Sequence, residues 1–129
     1  MNDNNKFGGI ENLDVYKGAV EISDEAWIIF NTLSKNFQYH IGNQFLDAAD
    51  SIGANISEGY GRYHYRESIN FNNFARGSAF ETRYWLSRLY KRSFINESTS
   101  NVLNNLLESC IAKINGYNSY LGNKLKDQH

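Results

Sequence analysis

Two carboxylates, Glu58 and Glu81, fall in or beside apolar series spaced three and four residues apart. A carboxylate inside a core must meet hydrogen-bond donors or be driven to protonate. Paired acids are also the working groups of general acid and base chemistry, glycoside hydrolysis among them. Donors stand at suitable positions, with Asn55 and Arg62 near the first acid and Arg76 and Ser78 near the second. These residues define an expected polar cluster of Asn55, Glu58, Arg62, Arg76, Ser78 and Glu81. Two uses are open to it: proton transfer, or a lock on helix register that lets the apolar seams close in one alignment only. Without a nucleophile, phosphate loop or metal signature beside the acids, the register lock is the reading adopted. No residue is assigned to catalysis, and a protein that is not an enzyme, without cofactor or small-molecule substrate, is expected.

The remaining reactive side chains add little. Cys110 is the single cysteine, so it reads as a buried thiol packed like a small hydrophobe. His40, His64 and His129 show no metal-ligand spacing.

Positive charge is more informative. The formal net charge is −1, yet residues 1–58 carry three lysines against nine acids, residues 59–92 seven basic residues against two acids, and the rest three against three. The first block is therefore −6 and the second +5. At 100° per residue Arg66, Arg76, Arg83 and Lys91 fall on one side of a helix, with Arg62, Tyr63, His64 and Tyr65 at its head. Arginine interleaved with aromatic rings suits single-stranded RNA or DNA, through stacking and phosphate contact. An acidic protein surface is the other partner it fits, and a charged outer helix face is most often simply solvated.

The elements that must hold these residues are helices. The chain of 129 residues has no proline, and its length suits one domain. A first helix is expected from Leu13 to about Phe37, with two apolar series: Leu13, Tyr16, Val20, Ser23, Trp27, Phe30 and Val15, Ala19, Ile22, Ala26, Ile29, Leu33. So wide an apolar face can meet another subunit as well as its own bundle. A second runs from about Ile41 to Glu58 on Phe45, Ala48, Ala49, Ile52 and Ile56, with Gly59 and Gly61 supplying left-handed or extended dihedrals at its stop. A third should span Tyr65 to about Arg92 on a seam of Phe71, Phe74, Ser78, Glu81, Trp85 and Leu89, with Ala75, Thr82 and Leu86 beside it. "NEST" at 96–99 offers caps for a fourth, seamed by Leu103, Leu107, Cys110, Ile114, Tyr117 and Leu121. Short connections make this an all-α, antiparallel up-down-up-down four-helix bundle. Residues 10–122 form the domain, between a flexible arm at 1–9 and a loose polar tail at 123–129. No apolar run approaches membrane length, and the amino terminus is too polar for a secretory signal, so a cytoplasmic protein is expected, with no membrane partner.

Three blocks carry a likeness: "ENLDVYKGAV" at 11–20, "AADSIGANISEGYGR" at 48–62 and "NFARGSAFE" at 73–81. In sequence and spacing they closely resemble the bacterial four helix bundle proteins related to the intervening sequence of 23S ribosomal RNA genes, over roughly residues 11–121. The resemblance implies a left-handed bundle that assembles as a homopentamer, and signature positions at Asn55, Glu58, Gly59, Gly61, Arg62, Arg76, Gly77, Ser78 and Glu81, none of them catalytic. A related member, the accessory variability protein of diversity-generating retroelements, implies binding to a reverse transcriptase and nucleic acid through a basic surface. Here Gly53 replaces the usual proline. Leu46 and Asp47 stand where arginines are common, which lowers the expected affinity for phosphate backbones, and His64 stands where a capping serine is common.

Overall fold

The computed structural model describes residues 9–128. Among these it is all-α, with four long helices: α1 (Asp14–Thr32), α2 (Asn43–Tyr60), α3 (Tyr65–Lys91) and α4 (Glu97–Asp127). The expected amino-terminal arm and His129 lie outside the described residues, apart from Gly9, which opens a 3-10 turn, Gly9–Asn12. The tail expected to be loose from 123 is helical through Asp127. No breaker interrupts it, and Lys124 and Lys126 in the last turn suit the negative end of the helix dipole.

α1 stops five residues earlier than its apolar pattern suggests. Leu33 and Ser34 adopt extended dihedrals, and a single helical turn, Lys35–Phe37, then passes into a π-helical turn, Gln38–Gly42, that leads into α2. Gln38 Nε2 donates back to the carbonyl of Phe30 at 3.1 Å, tying the connection to the end of α1.

In α1 the series Val15, Ala19, Ile22, Ala26, Ile29 and Leu33 is buried, and all five apolar residues expected for the α2 stripe are buried with it. α4 keeps its seam, with Leu103, Leu107, Cys110, Ile114 and Leu121 inside. Asn96 caps it, accepting from the Thr99 amide at 2.8 Å. A Phe, Leu or Ile closed off this fully stabilises the fold by about 1.5–3 kcal/mol relative to exposure.

α3 departs from expectation. Its buried side is Ser68, Asn72, Ala75, Ala79, Thr82, Leu86 and Leu89, so the helix is turned relative to the expected seam. Phe74 is 59% exposed, Glu81 is exposed, and Phe71, Ser78 and Trp85 are half-buried. Small polar residues take the inner face because each finds a partner there. Ser68 Oγ donates to the Gly59 carbonyl (2.7 Å), Asn72 Nδ2 to Asn118 Oδ1 (2.9 Å) and Thr82 Oγ1 to the Ser78 carbonyl (2.7 Å).

Neither glycine at the end of α2 is left-handed. Gly61 is right-handed helical (φ −76°). Gly59 is required by a close approach instead, since a Cβ on it would lie 2.9 Å from Phe71 Cβ and 3.1 Å from the Ser68 carbonyl oxygen. α1 packs on α2 and α4, and α3 packs on the same two helices. α1 and α3 therefore occupy opposite corners of the molecule.

Candidate functional site

Of the expected polar cluster, the contact of Arg62 with Glu58 forms and the rest does not assemble around it. Glu58 is on the surface, paired with Arg62 one helical turn on at 2.6 Å. Asn55 donates to the Ser51 carbonyl in its own helix. Arg76 turns the other way, donating to Asn115 Oδ1 on α4 and to Asn73 Oδ1 at 3.0 Å. Glu81 is exposed and accepts from Trp85 Nε1 at 3.2 Å. The rotation of α3 is the cause: it carries Glu81 out of the interface in which Glu58 was to meet it. Polar alignment is supplied by a different set, Asn72 and Asn73 of α3 with Asn115 and Asn118 of α4, joined through Arg76 and by Asn118 Nδ2 donating to Asn73 Oδ1 at 3.1 Å. The sequence does carry a signal for it, an asparagine pair on each helix.

Glu58 and Glu81 are both exposed and each keeps to a partner in its own stretch of chain, Arg62 and Trp85. A cavity of about 590 Å³ lies against the π-helical turn, framed by Phe37, Trp85, Phe94, His40 and Arg92, and it has no acidic residue in its lining. Among the described residues no group of three or more His, Cys, Asp or Glu is placed to hold a metal ion. None of their helices is long and apolar enough to cross a membrane.

The basic stripe is split. Arg66 and Lys91 are exposed. Arg76 and Arg83 lie half-buried on the shoulder towards α4, the first on Asn115, the second 5.6 Å over the Phe80 ring and beside Asn104 and Glu108. Arg62 lies 4.8 Å over the Phe71 ring while holding Glu58. Tyr63 is 75% exposed, edge-on to His64. Tyr65 is half-buried, near enough to Tyr117 to help raise that phenol; burial first, then Tyr60, Tyr120 and Tyr65, push it to about 12.

The fold leaves large apolar side chains exposed on α1, along the wide face expected to meet another subunit, and on α3. On α1, the series Tyr16, Val20, Ser23, Trp27 and Phe30 has only partial cover, and Trp27, stacked on Phe30 at 5.7 Å, is 54% exposed. On α3, Phe74, Phe80 and Tyr84 are all more than half exposed. Four cationic side chains lie over rings here: Arg62 on Phe71, Arg83 on Phe80, Arg88 on Tyr84 and Lys91 on Tyr90. Among the described residues one ion pair forms, Arg62 with Glu58, and it joins the acidic block 1–58 to the basic block 59–92.

A family model described as 23S rRNA-intervening sequence protein matches residues 11–116. Among solved structures, a protein of unknown function from the S23 ribosomal protein family of Bacteroides thetaiotaomicron is 25% identical, with a TM-score of 0.76 over 81% of this chain and 97% of that one. Among curated proteins none matches.

Proposed function

The chain belongs to the 23S rRNA-intervening sequence protein family, and from that premise we propose that it is a non-enzymatic, cytoplasmic helical scaffold that works as a homo-oligomer. In this reading the helices run up-down-up-down as a left-handed antiparallel bundle. The pairs Asn72–Asn118 and Arg76–Asn115, where one number rises as the other falls, support the antiparallel course of α3 and α4. Five copies close a ring, as the family resemblance implies.

The observation that carries the reading is the outward apolar surface on opposite corners of one chain, Trp27 with Val20 on α1 and Phe74, Phe80 and Tyr84 on α3. Monomers seldom leave such rings in water without a partner to cover them. Sedimentation at micromolar concentration tests it, with assembly expected and a monomer contradicting it.

A second reading, an RNA- or DNA-binding accessory protein, is favoured by the alternation of cations and rings along α3. It assigns phosphate contact to Arg66 and Lys91, which are exposed; Arg76 and Arg62 are already engaged. Affinity for a single-stranded oligonucleotide would then fall steeply with salt and be lost in Arg66→Glu/Lys91→Glu. Binding indifferent to both would dismiss it.

A further inference from the structure

Because α1 and α3 stand on opposite corners, their outward faces point away from each other, and one chain presents two different surfaces at once. We infer that these surfaces fit one another: the α1 ridge around Trp27 of one copy seats in a hole around Gly77 on α3 of the next. This contact rests on the self-assembly reading and gives it a direction, head to tail.

Gly77 is the first observation. It lies exposed in the middle of a 27-residue helix, and a Cβ added there would meet nothing within 4 Å. Glycine costs a helix interior about 1 kcal/mol relative to alanine, and here no packing within the chain requires it. The bare backbone at this point is a recess. Gly77, Phe80, Glu81 and Tyr84 stand at i, i+3, i+4 and i+7, the four corners of the hole into which a side chain of a neighbouring helix packs. Two of those corners, Phe80 and Tyr84, are rings exposed by 52% and 56%.

The ridge has the matching form. Val20 and Trp27, exposed by 37% and 54%, lie two turns apart on one side of α1, with Tyr16, Ser23 and Phe30 along the same edge. Trp27 is held by its stack on Phe30, so a large side chain is presented with little freedom left to lose on binding. Glu81 accepts one hydrogen bond, from Trp85. A carboxylate has further acceptor positions, which suit the indole N–H of an incoming Trp27.

Charge selects a second copy as the occupant. Glu21 and Asp24 are exposed on α1 between Val20 and Trp27. Arg83 and Arg88 lie over two corners of the hole, Phe80 and Tyr84. Segments of −6 and +5 that share one ion pair among the described residues, Glu58 with Arg62, are neutralised further when the ridge of one copy meets the hole of another. Unlike patches in contact make a heterologous interface, which repeats around a ring or along a filament.

Mixing two blocked variants tests the direction. Gly77→Gln fills the hole but keeps the ridge; Trp27→Ala removes the ridge but keeps the hole. Neither site is buried, and melting curves check that both fold, with Val20→Gln replacing Trp27→Ala if that variant melts early. Each variant alone should assemble at least tenfold more weakly than the parent in sedimentation. An equimolar mixture should give a heterodimer, joined by its one intact contact. Variants that assemble as the parent does would overturn this contact while leaving self-assembly standing. Variants that stay monomeric even when mixed would overturn the head-to-tail direction. A monomeric parent would overturn both this contact and the reading beneath it.

Discussion

Cys110 shows how burial governs chemistry at the scale of one residue. It lies 1% exposed in the α4 seam, and burial, only partly offset by Lys113, pushes its thiol from 9.0 up to about 11. A thiol that ionises less readily folded than unfolded contributes stability below the unfolded value, and that contribution is lost as pH rises from about 9 towards 11. The urea midpoint is therefore expected to fall across this range, and to fall less in Cys110→Ala; equal falls in the two proteins would contradict it. The buried thiol was legible in the sequence because Cys110 continues the period of Leu103, Leu107 and Ile114. Glu58 and Glu81 were not. Phe71, Phe74 and Trp85 drew the expected seam to themselves, but Ser68, Asn72 and Thr82 are smaller and each donates a side-chain hydrogen bond inside. Once those residues turn inward, Glu81 must turn outward.

Among the elements, the joint between α2 and α3 is set by contact and not by dihedral freedom. Gly59→Ala forces a Cβ to within 2.9 Å of Phe71 Cβ, and a clash of this kind costs about 1–3 kcal/mol. Gly61→Ala meets nothing closer than 3.6 Å and should leave the urea midpoint within about 0.5 kcal/mol of the parent. Equal effects at the two glycines would refute this account of the joint. Four helices, their order and the cap at Asn96 were legible because long periodic runs and a capping side chain are local signals. The π-helical turn and the early end of α1 were not, because Leu33 to Gly42 carries no proline and no obvious breaker. Among the described residues the left-handed backbone other than Gly9 (φ 74°) falls at Ser93 (φ 67°), not at either glycine of the α2–α3 joint. There it closes α3, with the Phe94 amide reaching the Leu89 carbonyl at 2.9 Å.

For the whole molecule, the segregation of charge and the breadth of the α1 apolar face were both readable from the sequence. How they combine was not, since it depends on α1 and α3 standing at opposite corners, a fact of packing that no local pattern encodes. That placement leaves Trp27 and the Phe74, Phe80 and Tyr84 rings facing outward in opposite directions, bordered by charge of opposite sign. A surface of this kind has its aromatic centre and charged rim already in place for a standard interface of about 1,200–2,000 Å². Attraction between the rims is screened by salt, while burial of the rings is not. Sedimentation equilibrium of the unmodified protein at micromolar concentration, at low and at high salt, tests the central claim most directly. The account predicts a defined oligomer in both, with a weaker association constant at high salt; a species of one chain's mass, 14.8 kDa, in both buffers would contradict it.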